Sequence, residues 1–252
     1  MTQILSNKNK ICAKIICTYF GDRRSVHNTP QNVIEFLKLM IENEINIENG
    51  VLTDVIIINN NCNKIESNNI LNSYHNFETK NGKIIVENRD NKGGSFGGYY
   101  DMFLKYKDDY DYWFFCEDDV LIYKNGYIKD FIEFLNSDDN LGFISLAPIS
   151  ISYHPKHSGG GCGLTSTNKF LRSRSIDEIE HFLKITSSLN EGYETLEKYE
   201  IMFTNKFITS EMDIRNHPQY SPYCLNFESH IGQKNNYVKN NKELEIIYKV
   251  GF

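Results

Sequence analysis

Long hydrophobic runs are missing from this chain, and so is any excess of positive charge. No apolar stretch approaches the ~20 residues that a membrane-spanning helix needs, and the opening segment, Met1 to Lys10, is polar and has no signal-peptide core. With 27 Lys and Arg against 33 Asp and Glu, the net charge is −6. That balance argues against a nucleic-acid partner, because phosphate backbones select basic faces. A small phosphorylated ligand stays open, since one local cation site can hold it. No CxxC pair occurs among Cys12, Cys17, Cys62, Cys116, Cys162 and Cys224, which argues against zinc held by thiolates. Several of these cysteines sit inside apolar runs and read as small buried hydrophobes in a reducing compartment. The expectation is a cytoplasmic protein with no transmembrane segment.

What is present is a core's worth of apolar residues, 40% of 252, arranged with alternating periodicity. Lys14 to Tyr19, Asp54 to Ile58, Lys83 to Glu87 and Tyr112 to Cys116 are short apolar runs that predict buried strands. Val33 to Ile47 carries Val33, Phe36, Leu37, Met40, Ile41 and Ile45 at helical spacing. Further helices are predicted over Ile70 to Phe77 and Tyr99 to Tyr106. Strands alternating with helices predict an α/β fold with a mainly parallel, Rossmann-like sheet flanked by helices. In such sheets ligands bind beyond the carboxyl ends of the strands, and each predicted strand ends there in a polar loop. Beyond these, Tyr127 to Leu135 predicts a helix, Gly142 to Leu146 a strand, and Ser158 to Gly163 a mobile glycine-rich loop. Ile176 to Leu189 and Tyr193 to Tyr199 predict helices. Ile208 to Arg215 is expected to return to the sheet edge.

The strongest chemical signal is Tyr112 to Ile122, YWFFCEDDVLI. An apolar strand delivers Glu117, Asp118 and Asp119 in a row, and apolar residues resume at once. Acids in that setting are costly unless compensated. Alternation along an extended backbone points Glu117 and Asp119 the same way, and a hard divalent cation, Mg²⁺ or Mn²⁺, would neutralise them through oxygen ligands.

This segment resembles the acidic DxD-type motif of GT-A fold glycosyltransferases, and its EDD form is similar to that of the N-acetylglucosaminyltransferase I group. Arg89-Asp90-Asn91-Lys92-Gly93-Gly94-Ser95-Phe96-Gly97-Gly98 resembles the loop and helix start that precede the motif in family-2-like enzymes. Ile15 to Asp22 and Asp54 to Asn60 resemble the first two strands of that fold. Together these stretches cover about the first half of the chain.

The resemblance implies a tail over 1–12 and one GT-A domain over 13–252. Its nucleotide-sugar-binding half would be 13–122, and a smaller acceptor-binding half 123–252. It implies Mn²⁺ or Mg²⁺ held by Asp119, Glu117 and His230, the last within Phe227 to Gly232. Thr18, Tyr19, Asp22 and Asn60 would line the base pocket. Arg89, Gly93 and Gly94 would lie near the ribose and diphosphate, with Glu117 or Asp118 reaching the ribose or a metal-bound water. Glu211, or else Asp213, would serve as base for an inverting displacement. The partners implied are a UDP- or GDP-type sugar donor and a glycan or other hydroxyl acceptor. His154 to Arg174 mixes glycines with basic residues, and Lys156, His157, Arg172 and Arg174 are candidates for covering the diphosphate. The competing readings are a sugar-nucleotide-forming nucleotidyltransferase and a non-catalytic glycan-binding module. The stretch Thr18 to Arg24 lacks the glycine density that a nucleotidyltransferase would be expected to carry after its first strand.

Overall fold

A computed structural model describes residues 11–18, 30–60, 65–118, 120–122, 124–146, 149–150, 157–158, 161–186, 193–220 and 246–248. The chain opens with β1 (Cys12–Thr18), α1 (Pro30–Asn46), β2 (Thr53–Asn59), α2 (Ile65–Asn72), β3 (Ile84–Asn88), α3 (Gly94–Tyr106) and β4 (Tyr112–Glu117). It continues through β5 (Val120–Ile122), α4 (Tyr127–Asn136) and β6 (Leu141–Ser145), then the short β7 (Ile149–Ser150) and β8 (His157–Ser158). β9 (Gly163–Ser166), α5 (Thr167–Ser173), α6 (Ile176–Thr186), α7 (Tyr193–Thr209), β10 (Asp213–Asn216) and β11 (Ile246–Tyr248) complete it.

Among the described residues the main sheet has seven strands in the order β10-β6-β9-β4-β1-β2-β3. All run parallel except β9, which lies antiparallel between β4 and β6. β1 and β2 are buried at every position, as expected for parallel strands covered on both faces. Alternate side chains feed two cores. Cys12, Ile16, Val55, Ile57 and Phe114 pack with Met40 and Ile41 of α1 and Phe131 and Leu135 of α4. Ala13, Ile15, Ile56, Ile58 and Phe115 pack with Tyr99 and Phe103 of α3, Phe170 of α5 and Phe203 and Phe207 of α7. The result is a helix–sheet–helix sandwich.

One polar residue breaks the apolar run of β1. Lys14 is fully buried and donates to Glu44 of α1 at 2.5 Å, with its ammonium 5.1 Å from the centre of the Tyr127 ring. The pair links strand to helix inside the first core, where either charge alone would be costly.

Three expectations are corrected. The predicted glycine-rich loop gives way at Gly163 to β9, a sheet strand that the sequence reading lacked. α3 starts at Gly94 instead of Tyr99. α7 continues to Thr209 instead of ending at Tyr199. Among the described residues no helix is long and apolar enough to cross a membrane.

Candidate functional site

Strand register builds the candidate site. Thr18 is level with Asn59, Asn59 with Asn88, and Cys17 with Glu117, so four parallel strands end along one line. β1 lies between β2 and β4. The chain winds from β1 through β2 to β3 on one side and then crosses to β4 on the other. The strand order therefore reverses between β1 and β4, and in open α/β sheets the ligand crevice lies beyond the carboxyl ends at such a point.

Two side chains meet across that crevice. Thr18 Oγ1 donates to Asp118 Oδ2 at 2.7 Å, and both residues are buried. Glu117, half-buried, emerges on the other face of the strand, where Ser95 Oγ donates to its Oε1 at 2.8 Å. Ser95 is the second residue of α3, whose amino end carries a partial positive charge that favours a carboxylate there. The turn into α3 passes through Gly93 and Gly94, at φ 74° and 58°, a left-handed pair that side-chain-bearing residues adopt only at a cost.

A third group fixes the loop beside them. Arg89 donates through Nη1 to Asn60 Oδ1 at 2.7 Å, through Nη2 to the Lys92 carbonyl at 2.9 Å and through Nε to Asp101 at 3.2 Å. Asn60 in turn donates to Cys17 Sγ and to the Gly94 carbonyl. Arg89 thus clamps the loop that launches α3 instead of projecting into the crevice. Burial raises the Cys17 thiol far above its ordinary range, so it stays protonated and presents no thiolate beside the carboxylates.

Thr18, Asn60, Arg89, Gly93, Gly94, Glu117 and Asp118 therefore gather at one sheet edge. Tyr19, Asp22, Asp119 and His230 lie outside the described residues, as do Lys156 and the rest of the segment Phe227 to Gly232. Among the described residues no three His, Cys, Asp or Glu side chains cluster to hold a metal. Glu117 and Asp118 are hard oxygen donors of the kind a divalent cation takes, but they leave the strand on opposite faces, so the two together do not form a cation site.

Glu211 and Asp213 are not brought to this edge. Asn216 is level with Ser145, Ser145 with Gly163, and Gly163 with Phe115. Asp213, at the start of β10, is therefore near the start of β4, roughly 15 Å back along the strand direction at ~3.3 Å per residue. Asp213 accepts from Arg215 Nε at 2.7 Å. Glu211 is exposed at φ 59°. Its N–H donates to the Ile208 carbonyl and that of Met212 to the Phe207 carbonyl. This is the hydrogen-bond pattern of a helix end with a left-handed residue just past the last turn. The acid closes α7, and neither residue lies at the edge where β1 and β4 end. Glu211→Gly is expected to raise stability by about 1 kcal/mol by relieving the left-handed backbone, with turnover unchanged. Urea unfolding and a turnover assay check the two halves.

Arg174 is likewise corrected, since it is buried among the rings of Tyr100, Phe170, Phe203 and Phe207. Ser95 is the functional neighbour that sequence reasoning passed over. It sits inside the resembling stretch, but only the fold reveals that the first turn of α3 faces the end of β4.

No family model matches the sequence, and no curated protein matches it. Among solved structures, a CMP:2-keto-3-deoxy-manno-octonic acid synthetase complexed with CTP is similar, with a TM-score of 0.43 and 12% identity over 88% of this chain and 98% of that one. A glycosyltransferase involved in the glycosylation of the major capsid of PBCV-1 is also similar, with a TM-score of 0.44 and 10% identity over 96% of each chain.

Proposed function

We propose that this chain is a metal-dependent glycosyltransferase that moves a sugar from a UDP- or GDP-type donor to an acceptor hydroxyl. The observation that carries the reading is the Thr18–Asp118 bridge at the point where the strand order reverses, with Glu117 held beside it by Ser95. Acidic residues are costly at the end of an apolar strand, and their placement in the ligand crevice of an open α/β sheet gives them a use. Glu117, Asp119 and His230 would hold Mn²⁺ or Mg²⁺. The ion's chemistry is to offset the charge that grows on a departing nucleoside diphosphate.

The residues of the chain have separate tasks in this reading. Thr18 orients the Asp118 carboxylate toward the ribose side, and Tyr19, Asp22 and Asn60 bound the base pocket. Ser95 fixes the rotamer of Glu117. Arg89 positions the Gly93-Gly94 turn so that backbone approaches the diphosphate with no side chain in the way. Glu211 and Asp213 lie at the opposite edge of the sheet, so either would serve as base only for an acceptor that reaches there.

The test is a product assay. With Mn²⁺, an acceptor mixture and a panel of nucleotide sugars, one donor is expected to release its nucleoside diphosphate. Nucleoside triphosphate with sugar phosphate is expected to release no pyrophosphate. The opposite pair of results assigns sugar-nucleotide synthesis and overturns the proposal.

A further inference from the structure

Away from the crevice, the helical layer contains a buried cation that forms no ion pair within 4.0 Å among the described residues. Arg174, just past α5, is 2% exposed. Its guanidinium carbon lies 4.3 Å from the centre of the Phe170 ring, 4.7 Å from that of Phe207 and 4.9 Å from that of Phe203. Nε donates to Ser173 Oγ at 2.8 Å, Nη1 to the Tyr100 hydroxyl at 2.7 Å and Nη2 to the Phe203 carbonyl at 2.8 Å. All three acceptors are neutral, and among the described residues no carboxylate comes within 4.0 Å. Ring faces recover part of the cost of burying a cation, yet a buried charge is ordinarily matched by an opposite one. Burial accordingly pulls the Arg174 pKa below the usual guanidinium range.

The donors outnumber the acceptors. A guanidinium has five N–H groups, and three are used here. The Tyr100 hydroxyl accepts from Arg174, and its own proton has no acceptor among the described residues. Both side chains line one cavity of about 150 Å³ between α3, α6 and α7. Its other lining includes the apolar Ile179 and Phe182, Tyr199, and the ionisable Glu178, His181 and Lys206. Ile185 and Met202, 44% and 39% exposed, form its mouth. Glu178 and Lys206 at the rim pair with each other, and the Glu178 charge acts on Arg174 from a distance without forming an ion pair with it.

We propose that this cavity binds a small monocarboxylate with a compact apolar body, its carboxylate accepting from Arg174 and Tyr100 and its body lying against Phe182 and Tyr199. The volume matches a benzene-sized group, as a dry apolar cavity of about 150 Å³ accommodates benzene. The carboxylate suits the fork of a guanidinium, and Ile179 and Phe182 favour an apolar body over a hydrated ion such as inorganic phosphate. The site is independent of the nucleotide crevice.

The test is calorimetric titration of the full chain with benzoate, and with benzyl alcohol as an uncharged counterpart of similar size. Benzoate is expected to saturate and to bind at least about tenfold tighter than the alcohol. Tyr100→Phe is expected to narrow that ratio. Met202→Trp, at the exposed mouth, is expected to fill the cavity and abolish benzoate binding with an unchanged circular dichroism spectrum. Equal binding of the two probes, no saturation by benzoate at about 10 mM, or undiminished binding to the folded Met202→Trp variant overturns the proposal.

Discussion

Asp118→Asn is expected to fold normally and lose about 10- to 100-fold in kcat/KM, the scale of removing one hydrogen bond to a charged group on the ribose side. The amide matches the carboxylate in shape, and its oxygen still accepts from Thr18 Oγ1, so the 2.7 Å bridge survives. Only the charge is removed. Unfolding free energy should stay within about 1 kcal/mol of the parent, the net worth of an ordinary hydrogen bond. A purely architectural Asp118 predicts the reverse, with stability altered and turnover kept. Thr18→Val separates the two roles further. It leaves the charge but removes a hydrogen bond from a buried carboxylate, and about a tenfold loss in kcat with a loss of about 1–3 kcal/mol in stability is expected. Steady-state kinetics alongside urea unfolding distinguish these cases.

Gly97→Ala should damage the same site from beneath. A Cβ at position 97 would lie 2.0 Å from the Lys92 carbonyl oxygen and 3.3 Å from Arg89 Nη2. Backbone cannot yield that much in place, so the first turn of α3 or the loop holding Arg89 must move. Overpacking of this kind costs about 3 kcal/mol, or a fall of roughly 10 °C in Tm for a chain of this size. Moving the loop also releases the Asn60–Arg89 contact, and with it the aim of Ser95 at Glu117. Stability and turnover are expected to fall together, whereas in Asp118→Asn turnover falls alone. A scanning calorimetry trace and one kinetic assay on the same preparation check it. An unchanged Tm would show that the close approach of α3 to its preceding loop is not a constraint.

The two substitutions also mark what could be read from the residues alone. β1, β2 and β4 were legible because strands covered on both faces must be apolar throughout. The acids were legible because they interrupt that pattern abruptly. The start of α3 was not, because glycine is a poor helix former. Gly94, Gly97 and Gly98 are placed there by packing, with Gly98 facing Ile58 and Cys17. β9 was hidden for a different reason. Its four residues, Gly163 to Ser166, carry no strand periodicity, and their partners β4 and β6 are supplied by distant segments. Lys14 was absorbed into an apolar run because its partner, Glu44, is reached only through the docking of α1.

Glu211 and Asp213 show how direction along the sheet escapes the sequence. Local sequence shows that an acidic segment precedes a strand, but not which edge of the sheet it occupies. β9 runs against its neighbours, and α7 delivers the chain to the amino edge before β10. Two carboxylates with the right order along the chain thus end at the wrong edge for chemistry at β1 and β4.

The central claim is that carboxylates at the β1–β4 crevice and a divalent ion jointly hold a nucleotide. Thermal unfolding of the parent chain and of Asp118→Asn, with a panel of nucleoside diphosphates in the presence or absence of Mn²⁺, tests it most directly. One nucleotide is expected to raise the Tm of the parent only when Mn²⁺ is present, by the equivalent of about 2.7 kcal/mol at a hundredfold excess over Kd, and to leave the variant unmoved. An equal rise without the ion, an equal rise in the variant, or no rise with any nucleotide would contradict the account.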